Sequence, residues 1–231
     1  MSLLTHIHIE SAPNPTAAVI WLHGLGASGD DFAGLYPELD LAGCPATRFI
    51  FPHAPQIPVT INGGYVMPAW YDIFGTELGS SGAMRREDDA GIRQSQAHIE
   101  ALIENEVARG IQPAHIVLAG FSQGCAMALH TGLRHKARLA GIMALSGYLP
   151  LAGTLEAEAS AANKATPIFM AHGTQDPVVV VGRAEDSHAK LKSLGYSVEW
   201  HTYPMPHSVH PREVADISAF LKRSLQAVVH K

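Results

Sequence analysis

The chain repeats one pattern from its first third almost to its end: a short apolar run closed by Gly, Pro or His, followed by a connection or a stretch of helical periodicity. The runs are AAVIWLHG (Ala17 to Gly24), RFIFPHAP (Arg48 to Pro55), AHIVLAG (Ala114 to Gly120), LAGIMALSG (Leu139 to Gly147), TPIFMAHG (Thr166 to Gly173) and SVEWHTYP (Ser197 to Pro204). Five of them are nearly continuous in hydrophobicity, as strands covered on both faces must be, because neither face meets water. The sixth, SVEWHTYP, alternates polar and apolar residues and is therefore expected at a sheet edge. Alternation of this kind predicts an α/β fold, with a mostly parallel central sheet and helices on both of its faces. No shift in composition and no linker divides the 231 residues, so the expectation is one domain spanning 1–231.

The clearest helix runs from about Asp88 to Arg109, where Ile92, Ile99, Leu102, Ile103 and Val107 recur on one face. Glu87, Asp88 and Asp89 suit its positive N-terminal end, and Gly110 suits its end. A second helix is predicted from Ser122 or Gln123, a third over roughly Arg183 to Leu194, and a last one from near Pro211 to about Val228. Two connections are longer than usual, His53 to Arg86 and Tyr148 to Ala165. Long connections in compact domains tend to carry function, and the first, rich in aromatics, is the expected binding surface.

At the boundary between the third apolar run and the second helix stands Gly120-Phe121-Ser122-Gln123-Gly124. A sharp strand-to-helix turn would lift the Ser122 hydroxyl above the carboxyl edge of the sheet, and such a turn needs residues without side chains on either side of it. The bland alternative is a glycine-rich connector with a capping serine. A serine hydroxyl attacks a carbonyl only with a base in reach, a group orienting that base, and donors for the oxyanion. In this fold type the base follows the last strand, where YPMPHSVHP supplies His207 in mid-loop and His210 beside Pro211; the position favours His207. The acid follows the preceding strand, where Asp176 lies directly before Pro177. Its rival, Asp186, falls within the predicted third helix. The oxyanion donors would be the backbone N–H groups of Gln123 and of Leu25, the latter in the glycine-rich LHGLGASGDDF. For the acyl chain, Trp70, Tyr71, Ile73, Phe74 and Leu78 of the long connection, with Val178 and Val179 beside the acid, serve equally well as substrate wall or core.

Composition removes several alternatives. A formal charge of −5 offers no basic field for nucleic acid. The N-terminus lacks the features of a signal peptide, and no run approaches the ~20 apolar residues that span a bilayer, so stable membrane insertion is not expected and a cytoplasmic chain is. Only Cys44 and Cys125 are present, which implies no disulfide framework; Cys125, inside the second helix, is a rival nucleophile that should point into packing. The 14 histidines form no H-E-x-x-H or comparable cluster, so no metal is implied.

With these residues in place, the chain resembles the carboxylesterase and acyl-protein thioesterase (lysophospholipase-like) branch of the α/β-hydrolases. WLHGLGASGDDF, FPHAP, PVTINGGYVMPAWYDIFG, LAGFSQG, LSGYLPL, HGTQDPVV and YPMPHSVHPREVADISAFL carry the resemblance in family order from Trp21 almost to the C-terminus. It implies Ser122 as nucleophile, Asp176 as acid, His207 as base and the backbones of Leu25 and Gln123 as oxyanion donors. It also implies no metal or organic cofactor, little or no lid, and frequent homodimerisation. Two positions depart from the family: Pro206 precedes the base where a small residue is common, and Cys125 stands where a second Gly is frequent. The expected activity is hydrolysis of carboxylic esters through an acyl-enzyme on Ser122. Small-ester carboxylesterase, lysophospholipase and long-chain acyl-protein thioesterase all remain open, the substrate being a small-molecule or lipid ester or thioester. A catalytically silent hydrolase fold used for binding is the alternative of a different class.

Overall fold

The computed structural model describes residues 3–75 and 86–226. Seven strands form one sheet in the order β1-β3-β2-β6-β7-β8-β9: β1 His6–Glu10, β2 Ala17–Leu22, β3 Thr47–Pro52, β6 Ile116–Phe121, β7 Gly141–Leu145, β8 Ile168–Gly173 and β9 Val198–Tyr203. Between β3 and β6 the chain also forms a separate two-stranded hairpin, β4 Gln56–Val59 and β5 Tyr65–Pro68. All neighbours in the main sheet are parallel except β1, which runs antiparallel to β3. Six of its strands are the apolar runs read from the sequence, and β9, the alternating one, lies at an edge as expected.

The side-chain alternation of each strand divides the core in two. In β2, Ala18, Ile20 and Leu22 enter one apolar cluster, whereas Ala17, Val19 and Trp21 enter the other. The first is closed by α2 (Asp89–Ala108) and α3 (Gln123–Arg134), with Leu155 of α4 (Leu155–Glu158) and Leu191 of α5 (Val181–Ser193). Phe32 of α1 (Asp30–Ala33) and Ile217, Phe220 and Leu221 of α6 (Pro211–Gln226) close the second.

Helix boundaries moved by a residue or two. The Asp88 side chain accepts from the Gly91 N–H and caps α2. Val107, expected on the buried face of α2, is only half-buried; Glu106 and Ser95 are buried with Ile92, Ile99, Leu102 and Ile103. Glu106 is buried against Arg48 on β3, whose guanidinium meets Glu106 at 2.6 Å and Glu10 at 2.9 Å, while the Ser95 hydroxyl donates to the Trp70 carbonyl. A buried cation on a strand needs a carboxylate opposite it, and hydrophobic periodicity carries no sign of that requirement. The end of the last predicted helix, Val228, lies outside the described residues.

Candidate active site

At the carboxyl edge of the sheet, β6 gives way to α3 through Ser122, whose backbone sits at φ 57°, ψ −117°. An L-residue there stores on the order of 1–3 kcal/mol of strain, which the surrounding structure must hold. Two contacts show what holds it. A Cβ on Gly120 would lie 2.1 Å from the Gly124 carbonyl oxygen, and one on Gly124 would lie 2.2 Å from that of Leu22 at the end of β2. The glycines therefore let strand, turn and helix press together. The turn is also tied to the sheet, since the Ser122 N–H donates to the Leu145 carbonyl at 2.9 Å.

Two further loops meet the serine. His207, between β9 and α6, places Nε2 at 2.9 Å from Ser122 Oγ and Nδ1 at 2.6 Å from Asp176 Oδ2. Asp176 lies between β8 and α5, and its Oδ1 accepts from the N–H groups of Val178 (2.8 Å) and Val179 (2.9 Å). Burial by itself would raise the pKa of this carboxyl, but the His207 bond and the two amides outweigh it and hold the group below the ordinary aspartate value. The carboxylate is thus an ionised acceptor facing His207 Nδ1, which leaves Nε2 free to take a proton from Ser122. The Phe121 ring, with its centre 4.8 Å from that of His207, supports the imidazole from one side.

The rival residues sit elsewhere. His210 belongs to the start of α6: its Nδ1 accepts from the Arg212 N–H, while its own N–H donates to Glu213. Asp186 is exposed on α5. Cys125 is wholly buried, and burial pushes its thiol far above the usual range, so no thiolate is available there.

The backbone N–H groups of Leu25 and Gln123, both beside Ser122, have no partner among the described residues. The Gln123 side chain is held at both ends, its Oε1 accepting from the Trp70 N–H at 2.8 Å and its Nε2 donating to the Tyr71 carbonyl at 2.7 Å. A cavity of about 560 Å³ opens beside Ser122 and His207; Leu25, Phe32, Leu35, Val178 and Val209 give it apolar walls.

The residues expected to hold an acyl chain divide sharply. Trp70, Tyr71, Ile73 and Val179 pack in the core and do not line this cavity. Val178 does line it and is 43% exposed. Phe74 is half-buried, with the Arg86 guanidinium 4.4 Å from its ring centre. Leu78 lies outside the described residues. The walls that sequence reasoning missed include Phe32 and Leu35, from α1 and the turn after it, and Val209, two residues past His207; nothing in the local pattern there distinguishes a cavity wall from core.

Two histidines were also missed. His23 follows β2, and His172 lies in β8; both are fully buried. His172 Nε2 donates to the Val179 carbonyl at 2.7 Å and lies 3.4 Å from Asp176 Oδ2, beneath the acid loop. The available signal was a His-Gly pair at two strand ends, LHG and AHG. Among the described residues no group of three His, Cys, Asp or Glu side chains is placed to hold a metal ion.

Comparison with known proteins identifies the family of the chain. The sequence profile of the phospholipase/carboxylesterase family matches residues 5–225. The acyl-protein thioesterase 1 of Neurospora crassa is 46% identical, over 96% of this chain and 93% of the relative. That of Gibberella zeae is 42% identical, over 93% of each. Among solved structures, Arabidopsis thaliana SOBER1 superposes with a TM-score of 0.83 at 31% identity, covering 90% of this chain and 99% of that one. The acyl-protein thioesterase 2 of Zea mays superposes with a TM-score of 0.79 at 28% identity, covering 96% and 100%. The chain belongs to the phospholipase/carboxylesterase family of the α/β-hydrolase fold, and it is a serine hydrolase of ester or thioester bonds.

Proposed function

We propose that Ser122, His207 and Asp176 carry this hydrolysis as nucleophile, base and acid, and that the substrate is a long-chain acyl group in thioester linkage to a protein. The observation that carries the proposal is the unbroken line from Asp176 Oδ2 to His207 Nδ1 at 2.6 Å and from His207 Nε2 to Ser122 Oγ at 2.9 Å, opening on an apolar cavity. His207 takes the Ser122 proton as Oγ bonds to the acyl carbon, and the Leu25 and Gln123 N–H groups stabilise the resulting oxyanion. When the tetrahedral species collapses, the bond to sulfur breaks and His207 hands its proton to the departing thiol. Water, deprotonated by His207, then attacks the acyl-serine; the proton returns to Oγ and the fatty acid leaves. Asp176 holds the imidazole in the required tautomer and stabilises its cationic form.

The thioester part of the reading is supported by relatives named acyl-protein thioesterase and by the apolar walls around Ser122. Cytoplasmic residence and a homodimer belong to the same proposal; the two free cysteines, one of them wholly buried, support the former, and the resemblance to the family supports the latter. The test is a series of acyl chains from acetyl to palmitoyl, each offered as an oxygen ester and as an S-acyl peptide. Rates on S-acyl peptides should rise with chain length. Turnover confined to short oxygen esters would overturn the thioesterase reading while leaving the triad intact.

A further inference from the structure

The peptide joining Gly24 to Leu25 has its carbonyl held by two donors, while its N–H has no partner among the described residues. We propose that His23 is a positioning residue that presets the oxyanion hole: by holding the Gly24 carbonyl, its imidazole turns the Leu25 N–H of the same peptide toward Ser122. The inference rests on the acyl-transfer reading above and adds a residue to it.

The geometry assigns the tautomer. His23 Nε2 lies 3.0 Å from the Ala54 N–H, which can only donate, so Nε2 is the unprotonated acceptor and the ring proton is on Nδ1. Nδ1 lies 2.7 Å from the Gly24 carbonyl oxygen and donates to it. A trans peptide is planar, with its C=O and N–H pointing in opposite directions. Once the Gly24 carbonyl is drawn back to the imidazole, the Leu25 N–H must face the other way, into the cavity that Leu25 and Ser122 share. The Ala27 N–H reaches the same carbonyl at 3.3 Å, the longer of its two bonds.

The imidazole is itself anchored. The residue has no solvent exposure, its ring centre lies 5.4 Å from that of Trp70, and its own carbonyl accepts from Trp70 Nε1 at 2.8 Å. Burial lowers its pKa, which keeps the ring neutral and the Nε2 lone pair available to Ala54. The same segment, through Trp70 and Tyr71, holds the Gln123 side chain, so both donors of the hole are set from one side. A hole built this way needs no reorganisation when the oxyanion forms, which is the condition under which such donors contribute most to rate.

The test compares two amides that each replace half of the imidazole. In His23→Asn the side-chain NH2 falls near Nδ1 and can still donate to Gly24; in His23→Gln the amide falls near Nε2, keeping the Ala54 contact while losing the Gly24 one. On an ester of fixed chain length, His23→Gln should lower kcat by about 10- to 100-fold with KM unchanged, and weaken a trifluoromethyl ketone inhibitor by a similar factor. His23→Asn should recover kcat to within about threefold of wild type, on the same grounds. Equal kcat in His23→Gln and wild type, or a loss in His23→Asn as large as in His23→Gln, overturns the proposal. If His23→Gln does not fold, a folded His23→Asn with kcat more than about tenfold down has the same force. Ser122→Ala separates this idea from the one beneath it: full activity there defeats the acyl-enzyme reading, whereas an inactive Ser122→Ala beside a wild-type-like His23→Gln defeats only the role of His23.

Discussion

Ser122 and Ser146 directly follow adjacent parallel strands, β6 and β7, and share two backbone features. Both have positive φ, 57° and 49°, and each donates its N–H to a carbonyl of the next strand, Ser122 to that of Leu145 at 2.9 Å and Ser146 to that of Ala171 at 2.8 Å. Their hydroxyls differ completely. Ser122 is 9% exposed beside the cavity and bonded to His207, whereas Ser146 has no exposure and its hydroxyl has no partner among the described residues. After Ser122 the chain enters the 12-residue α3; after Ser146 it passes under that helix, where a Cβ on Gly147 would lie 2.6 Å from Cys125 Sγ and 2.6 Å from the Ser122 carbonyl oxygen. A serine at positive φ thus occurs at two neighbouring strand ends of this sheet. What separates the two is the pair of loops that bring His207 and Asp176 over one serine and not the other.

The largest test of that contrast is Ser122→Ala, expected to lower kcat on an ester or thioester by at least about 10⁴-fold with an unchanged circular dichroism spectrum. Residual activity near wild type would remove the distinction between the serines. Next is Gly124→Ala, which drives a methyl group into the Leu22 carbonyl; thermal or urea unfolding should report a loss on the order of 3 kcal/mol. A neutral result would mean that the turn yields more easily than its contacts imply. Cys125→Ala, between the two turns, should cost about 1 kcal/mol from lost packing, leave activity within about twofold, and leave fluorophosphonate labelling of Ser122 unchanged. Inactivity would revive the thiol as nucleophile. The smallest effect is expected of Ser146→Ala, which removes a buried unpartnered hydroxyl: activity within about twofold, and stability equal to wild type or up to about 1 kcal/mol higher.

Much of this was legible in the chain. Continuous apolar runs marked the buried parallel strands because burial on both faces disfavours polar residues that lack a partner, and the one alternating run marked β9 as an edge. The chain order of serine, acid and histidine named Ser122, Asp176 and His207 before any distance was known, since parallel crossovers bring the strand ends to one edge whatever lies between them. Other features were hidden. The β4–β5 hairpin is too short, and too mixed in its pattern, to stand out in a long connection. Trp70 and Ile73 look alike as cavity wall or core, because hydrophobicity reports burial without reporting what does the burying.

Sequence by itself therefore determined the element order, the two-sided burial of the sheet and the identity of the three aligned residues, all of which follow from local pattern and connectivity. The tertiary structure alone decided which of two similarly strained serines meets a base, which apolar residues face the cavity, and that His23 holds the peptide carrying the Leu25 N–H. Those are matters of direction and of distance to tenths of an ångström between groups far apart in the chain, and only the packed sheet edge sets them.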